Sequence, residues 1–237
     1  MTRLLIAIPI YNRLAIAEQC VPTVRAGAPE DTLVVYDDGS RENVVGSAVL
    51  ASAATRVVSA PSMGIDAQRR EHIKAFWEQR DHHGCTHLYL CDGDSPHDPQ
   101  WRAHALDLQE RYKAPICLYR TKTHEDYTNN VYRNEPTEDV IWQRFCPGVS
   151  VLLDMGMVER IIKYMPSGPW SWDWAIAGFL NYKMAISRTS FCDHIGHLGL
   201  HDVHAQGTVS AEKALSPTPW LVSKRAEILT NLGLKDA

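Results

Sequence analysis

Residues 88–101 read LYLCDGDSPHDPQW. An apolar run ends in two carboxylates, Asp92 and Asp94, with only Gly93 between them. The run reads as a buried strand, and Asp98 before Pro99 reads as a helix cap. Two like charges this close repel, and a cation between them removes the conflict. Carboxylates at i and i+2 on an extended turn can face one ion, and Gly93 lets backbone approach closely. Hard divalent ions favour such ligands, and Mg2+ or Mn2+ commonly shares them with a diphosphate. The plain alternative is a solvated acidic turn. Position decides between the two, so the surrounding pattern matters.

The first half of the chain alternates. RLLIAIPI (3–10) is strand-like and 14–26 helical. TLVVYDDGS (32–40) is a strand ending in a polar turn, 41–54 is helix-like, and TRVVSAP (55–61) is a short strand. Ile65, Ile73, Phe76 and Trp77 recur at helical spacing. THLYLCDGD, a helix over 98–113 and the strand APICLYRTK complete the series. This alternation predicts an α/β fold with a mostly parallel sheet covered by helices on both faces. Such sheets bind ligands at the carboxyl ends of their strands. Asn12, Asp37–Ser40 and Asp92–Asp94 all fall there, on one edge.

The second half is less regular. Residues 122–147 are polar, aromatic and poorly periodic, which predicts a functional loop or lobe. GVSVLLD and MAISRTSF read as strands, 155–165 as a helix, and helix resumes near Trp172. The tail from 211 to 237 predicts a helix at 220–231.

The chain has 237 residues, 45% hydrophobic and 22% charged, with a formal net charge of −4. That suits one large domain with a substantial core. It supplies no general attraction for nucleic acid, which disfavours a nucleic-acid acceptor. No apolar run approaches the roughly 20 residues of a membrane span. The opening run ends at Pro9 with no cleavage site after it, and the six cysteines are scattered without a CxxC. Both features predict reduced thiols and a cytoplasmic protein.

Several residues carry candidate chemistry. Asp37 and Asp38 end a strand, where a carboxylate can accept from a base N–H or a ribose hydroxyl. Arg69 and Arg70 open a helix, where a guanidinium can clamp phosphate. Asp173 lies between Trp172 and Trp174; partial desolvation there would suit a general base, and indole faces stack on sugars. His194, His197, His201 and His204 each offer an imidazole to a metal. The Gly-rich dinucleotide fingerprint and the P-loop are both absent.

Together these segments resemble the GT-A fold glycosyltransferases of family 2, over roughly residues 3–200. IAIPIYNR resembles the opening strand of that family, with Pro9, Tyr11 and Asn12 matching. VVYDDGS resembles its nucleotide-binding strand end, where Asp37 would contact the base. In SMGIDAQRREHI, Gly64 and Arg69 match, while Arg70 replaces the usual Asn. CDGD resembles the D-x-D motif, with Asp92 and Gly93 toward the ribose and Asp94 toward the metal. WSWDW stands where the family has an acidic pair, and only Asp173 carries over as base. DHIG resembles the segment supplying a histidine ligand, favouring His194 with His197 and His201 as rivals. The Q-x-x-R-W of processive members is absent.

The resemblance implies a metal-dependent, inverting glycosyltransferase using Mn2+ or Mg2+. A UDP-sugar is the first donor expected; the acceptor is a glycan, a protein or another hydroxyl compound. Residues 1–210 would form the GT-A domain, with 1–121 binding the nucleotide-sugar and 122–210 facing the acceptor. A silent sugar-nucleotide-binding protein, a phosphatase and a nucleotidyltransferase are the alternatives. The phosphatase pattern wants a Thr or Val two residues after the pair, and the nucleotidyltransferase wants a Gly-rich loop after the first strand. Neither is present.

Overall fold

A computed structural model describes residues 2–126, 131, 137–165, 172–181, 183–195 and 213–234, without the side chains of 83, 173 and 174. In chain order the elements are β1 (Leu4–Ile10), α1 (Leu14–Gly27), β2 (Thr32–Asp37), α2 (Ala48–Ala53), β3 (Arg56–Ser59) and α3 (Ile65–Glu78). Then come α4 (Arg80–His83), β4 (His87–Cys91), α5 (Trp101–Tyr112), β5 (Ile116–Cys117), α6 (Lys122–Asp126) and β6 (Val140–Gln143). β7 (Ser150–Asp154), α7 (Met155–Tyr164), α8 (Trp172–Phe179), β8 (Met184–Ser187) and α9 (Pro219–Asn231) follow.

The strands form one 8-stranded sheet in the order β3-β2-β1-β4-β7-β5-β8-β6. β1, β2, β3, β4, β5 and β8 run one way, and β6 and β7 run the other. Every residue of β1 is buried, as a central strand covered on both faces requires. From β1 the chain winds outward to β2 and β3, then returns to lay β4 on the other side of β1. That reversal makes the β1/β4 edge a topological switch point, the place where such sheets open a crevice. Ile10 pairs with Asp37, and Asp37 with Ser59, so three strand ends finish level.

Three segments differ from expectation. Helix forms only over α2 within 41–54. Asn43 takes the Gly46 N–H and Ser47 caps Leu50, so the preceding residues turn instead. The strand expected over 114–122 shortens to β5. Within 122–147, Val140–Gln143 becomes β6, an edge strand antiparallel to β8. Among the described residues no helix is long and apolar enough to cross a membrane.

The tail is tied to the rest by α9. Ile228 and Leu229 pack with Cys20 of α1 and Ile195. Thr218 caps α9 and donates to Asp98 at 2.7 Å, while Asp98 also takes the Gln100 N–H before α5.

His97 is a buried joint between these layers. Its N–H donates to Thr23 Oγ1 of α1, and its ring meets Tyr89 Oη at 2.7 Å and the Ser95 carbonyl at 2.8 Å. Burial lowers its pKa to about 4. The folded state therefore holds it neutral, while the unfolded chain protonates it near 6.5. Stability is fully present above that value and falls as pH drops from 6.5 towards 4. His97 alone should remove up to about 3 kcal/mol across that window. Urea titrations at several pH values should show a shallower acid slope for His97→Gln; an identical slope would refute the assignment.

Candidate functional site

The carboxyl ends of β1, β2 and β4 open into a cleft of about 580 Å³. Pro9, Tyr11, Asp38, Gly64, Asp92 and Asp94 line it, with Arg13, Gly93, Gln68 and His194. Gly93 is required by close approach: a Cβ there would sit 2.9 Å from Ile10 Cγ1 and 3.1 Å from the Pro9 carbonyl.

Each acid of the D-x-D turn has its own cation. Arg69 is fully buried on α3 and donates to Asp92 Oδ1 at 2.5 Å and to the Ala7 carbonyl of β1 at 3.0 Å. Its guanidinium lies 5.2 Å from the Trp172 ring centroid, a cation–π distance. Arg13, between β1 and α1, pairs with Asp94 Oδ2. On the other side His194 Nε2 stands 3.2 Å from Asp94 Oδ1. The two form a close ion pair, and among the described residues Oδ1 has no other partner.

The charges respond accordingly. Burial pushes the Asp92 carboxyl up against the pull of Arg69. Burial also opposes ionisation of Asp94, but His194 and Arg13 outweigh it and hold that carboxyl well below its usual range. Burial disfavours the His194 imidazolium, yet Asp94 and Asp92 push its pKa up to about 9.

Asp92, Asp94 and His194 offer ligand atoms within 4.8 Å of one another and could hold a metal ion. Two carboxylates and an imidazole suit Mn2+ well, and Mg2+ through the oxygens. Asp94 Oδ1, which faces His194 while Oδ2 faces Arg13, is the carboxylate oxygen such an ion would take.

The other sequence candidates divide by role. Asp37 takes the Ser40 N–H and the Ser59 hydroxyl, setting the turn that leads to Asp38. Asp38 borders the cleft and takes the N–H groups of Met63 and Gly64, where φ is +81°. Asn12 accepts the Arg41 N–H, and its own N–H donates to Ser40, tying the first strand end to the second. Trp172 is 6% exposed and packs behind Arg69 instead of lining the cleft. Its backbone N–H donates to Asp66 Oδ1 at 2.9 Å, which fastens the start of α8 to α3. The Asp173 side chain, His197 and His201 lie outside the described residues.

Sequence reasoning passed over Arg13, Gln68 and Arg225. Arg225 of α9 donates to Asp193 Oδ2 at 2.9 Å and to the His194 carbonyl, and Asp193 Oδ1 takes the His194 N–H. The tail helix thus fixes the backbone that carries the imidazole. Only Arg13 had a sequence signal, its place just beyond a strand end.

No family model and no curated protein matches the chain. Solved structures do. S. aureus TarS 1–349 in complex with UDP-GlcNAc aligns with a TM-score of 0.56 at 13% identity, over 78% of this chain and 56% of that one. A further TarS structure gives 0.57 at 9% identity, over 100% and 40%. TarS 1–349 with UDP gives 0.53 at 10% identity, over 96% and 63%. The chain thus spans 56% of the first and 40% of the second. At such identities the likeness establishes the fold: GT-A-like α/β, one sheet flanked by helices.

Arg69→Met should leave the Asp92 carboxylate without its guanidinium partner and lower stability by about 3 kcal/mol in urea denaturation. A loss under about 1 kcal/mol would show the buried pair to be dispensable.

Proposed function

We propose that the chain is a metal-dependent, inverting glycosyltransferase, moving a sugar from a nucleotide-diphosphate sugar to an acceptor hydroxyl. The observation carrying this reading is the convergence of Asp92, Asp94 and His194 in one cleft at the switch point of a GT-A-like sheet. The likeness to a structure holding UDP-GlcNAc supports a UDP-sugar as first donor.

In this reading the Asp37–Asp38 turn and Asp92 hold the nucleoside, with Pro9, Tyr11 and Gly64 shaping its seat. Asp94 and His194, with Asp92, hold Mn2+ or Mg2+; His197 and His201 are the rival imidazoles. When bound, the ion supplies positive charge against the diphosphate that leaves. Arg69 fixes Asp92, and Trp172 fixes Arg69. Asp173, on the first turn of α8, takes the proton of the acceptor hydroxyl. Attack on C1 from the face opposite the diphosphate inverts the anomeric centre. The acceptor, a glycan, a protein side chain or another hydroxyl compound, approaches from the side of residues 122–210.

A thermal-shift panel of nucleotide sugars with Mn2+, followed by a diphosphate-release assay, tests the proposal. Asp94→Ala should lose metal-dependent donor binding and turnover. Asp173→Asn should keep donor affinity within about twofold while turnover falls by about 10²–10⁴. Turnover that survives EDTA would reject the metal role. A parent-like rate in Asp173→Asn would reject the base. Donor binding without diphosphate release would point to a silent binding protein.

A further inference from the structure

Arg13 has no role in the scheme above, yet it makes a direct contact with the proposed metal site. Its backbone opens α1 just beyond β1, and its donor-only side chain, unable to cap the helix, reaches across to an acceptor. It reaches Asp94 Oδ2 and borders the cleft, with 17% of the side chain exposed. A guanidinium cannot shed its proton, so it remains charged whatever enters the site.

An ion held by Asp92, Asp94 and His194 would set two positive charges beside that guanidinium. The ion would take Asp94 Oδ1 while Arg13 holds Oδ2, two atoms of one carboxylate, and like charges that close repel. That repulsion loosens Arg13 from Asp94. The first turn of α1 has no acidic side chain to recapture it. The nearby Glu42 is exposed, so a pair with it would be screened by water. The cleft remains, and a diphosphate there matches the forked donor geometry of a guanidinium. The partial positive charge at the start of α1 favours the same anion.

We propose that Arg13 is an exchange residue: it neutralises Asp94 in the ion-free site and turns to the nucleotide's diphosphate when a divalent ion on Oδ1 takes over that neutralisation. The inference rests on the transferase reading. It gives Arg13 opposite effects on two ligands, which a purely structural residue would not have. Arg13 opposes the ion and supports the nucleotide.

Isothermal titration with Mn2+ alone, and with UDP in saturating Mn2+, separates the possibilities. Arg13→Met should bind Mn2+ about tenfold tighter and UDP about tenfold weaker than the parent. Arg13→Lys, a point charge on a flexible stem, should fall between the two on both scales. If circular dichroism shows Arg13→Met unfolded, the Lys variant carries the test with the same signs. Unchanged or weaker Mn2+ binding, or unchanged UDP binding, overturns the exchange. A parent protein that binds neither Mn2+ nor UDP overturns the transferase reading and the exchange with it. A parent that binds both, with variants shifting both affinities in one direction, overturns the exchange alone.

Discussion

Two carboxylates one residue apart, Asp92 and Asp94, have to be held ionised at the buried end of a parallel strand. Burial disfavours both charges, so the surrounding structure must supply compensation. It does so with one cation on each outer flank: Arg69 from α3 for Asp92, and Arg13 from the β1–α1 junction for Asp94. His194 approaches Asp94 from a third direction. Between them Asp94 Oδ1 faces His194 at the edge of a cleft of about 580 Å³, a size usual for small-ligand pockets.

That balance is set by distant parts of the chain. Parallel pairing of β1 with β4 brings Arg13 beside Asp94, residues 81 apart in sequence. Gly93 leaves room for the Pro9–Ile10 backbone and side chain. Trp172 backs Arg69, and its own N–H is held by Asp66. Far along the chain, Arg225 locks Asp193 and the His194 carbonyl, while Ile195 sits in the small core that α9 shares with α1. A buried ionic network of this kind is sensitive throughout, because removing any one member leaves another charge unpaired in low dielectric.

The sequence disclosed what is local. Apolar runs ending in polar turns marked β1, β2 and β4, and their shared edge placed Asp38 and the D-x-D turn at one cleft. Helix periodicity marked α3 and α7. What depends on register was hidden. Nothing in IAIPIYNR says that Arg13 meets Asp94, or that Arg69 turns inward to the Ala7 carbonyl. Composition misled at 41–54, where side-chain caps on Asn43 and Ser47 prevail over helix propensity. Trp172 looked suited to stack on a sugar, but a buried guanidinium claims its face. The tail's hold on the site was hidden too, since a lone Arg225 on a helix does not announce a buried partner.

Anomalous diffraction at the manganese edge, from crystals grown with Mn2+ and UDP, tests most directly whether Asp94 and His194 hold a cation. One strong peak is expected beside Asp94 and the His194 imidazole in crystals where UDP is ordered in the cleft. Ordered UDP in the cleft with no peak beside Asp94 would contradict it.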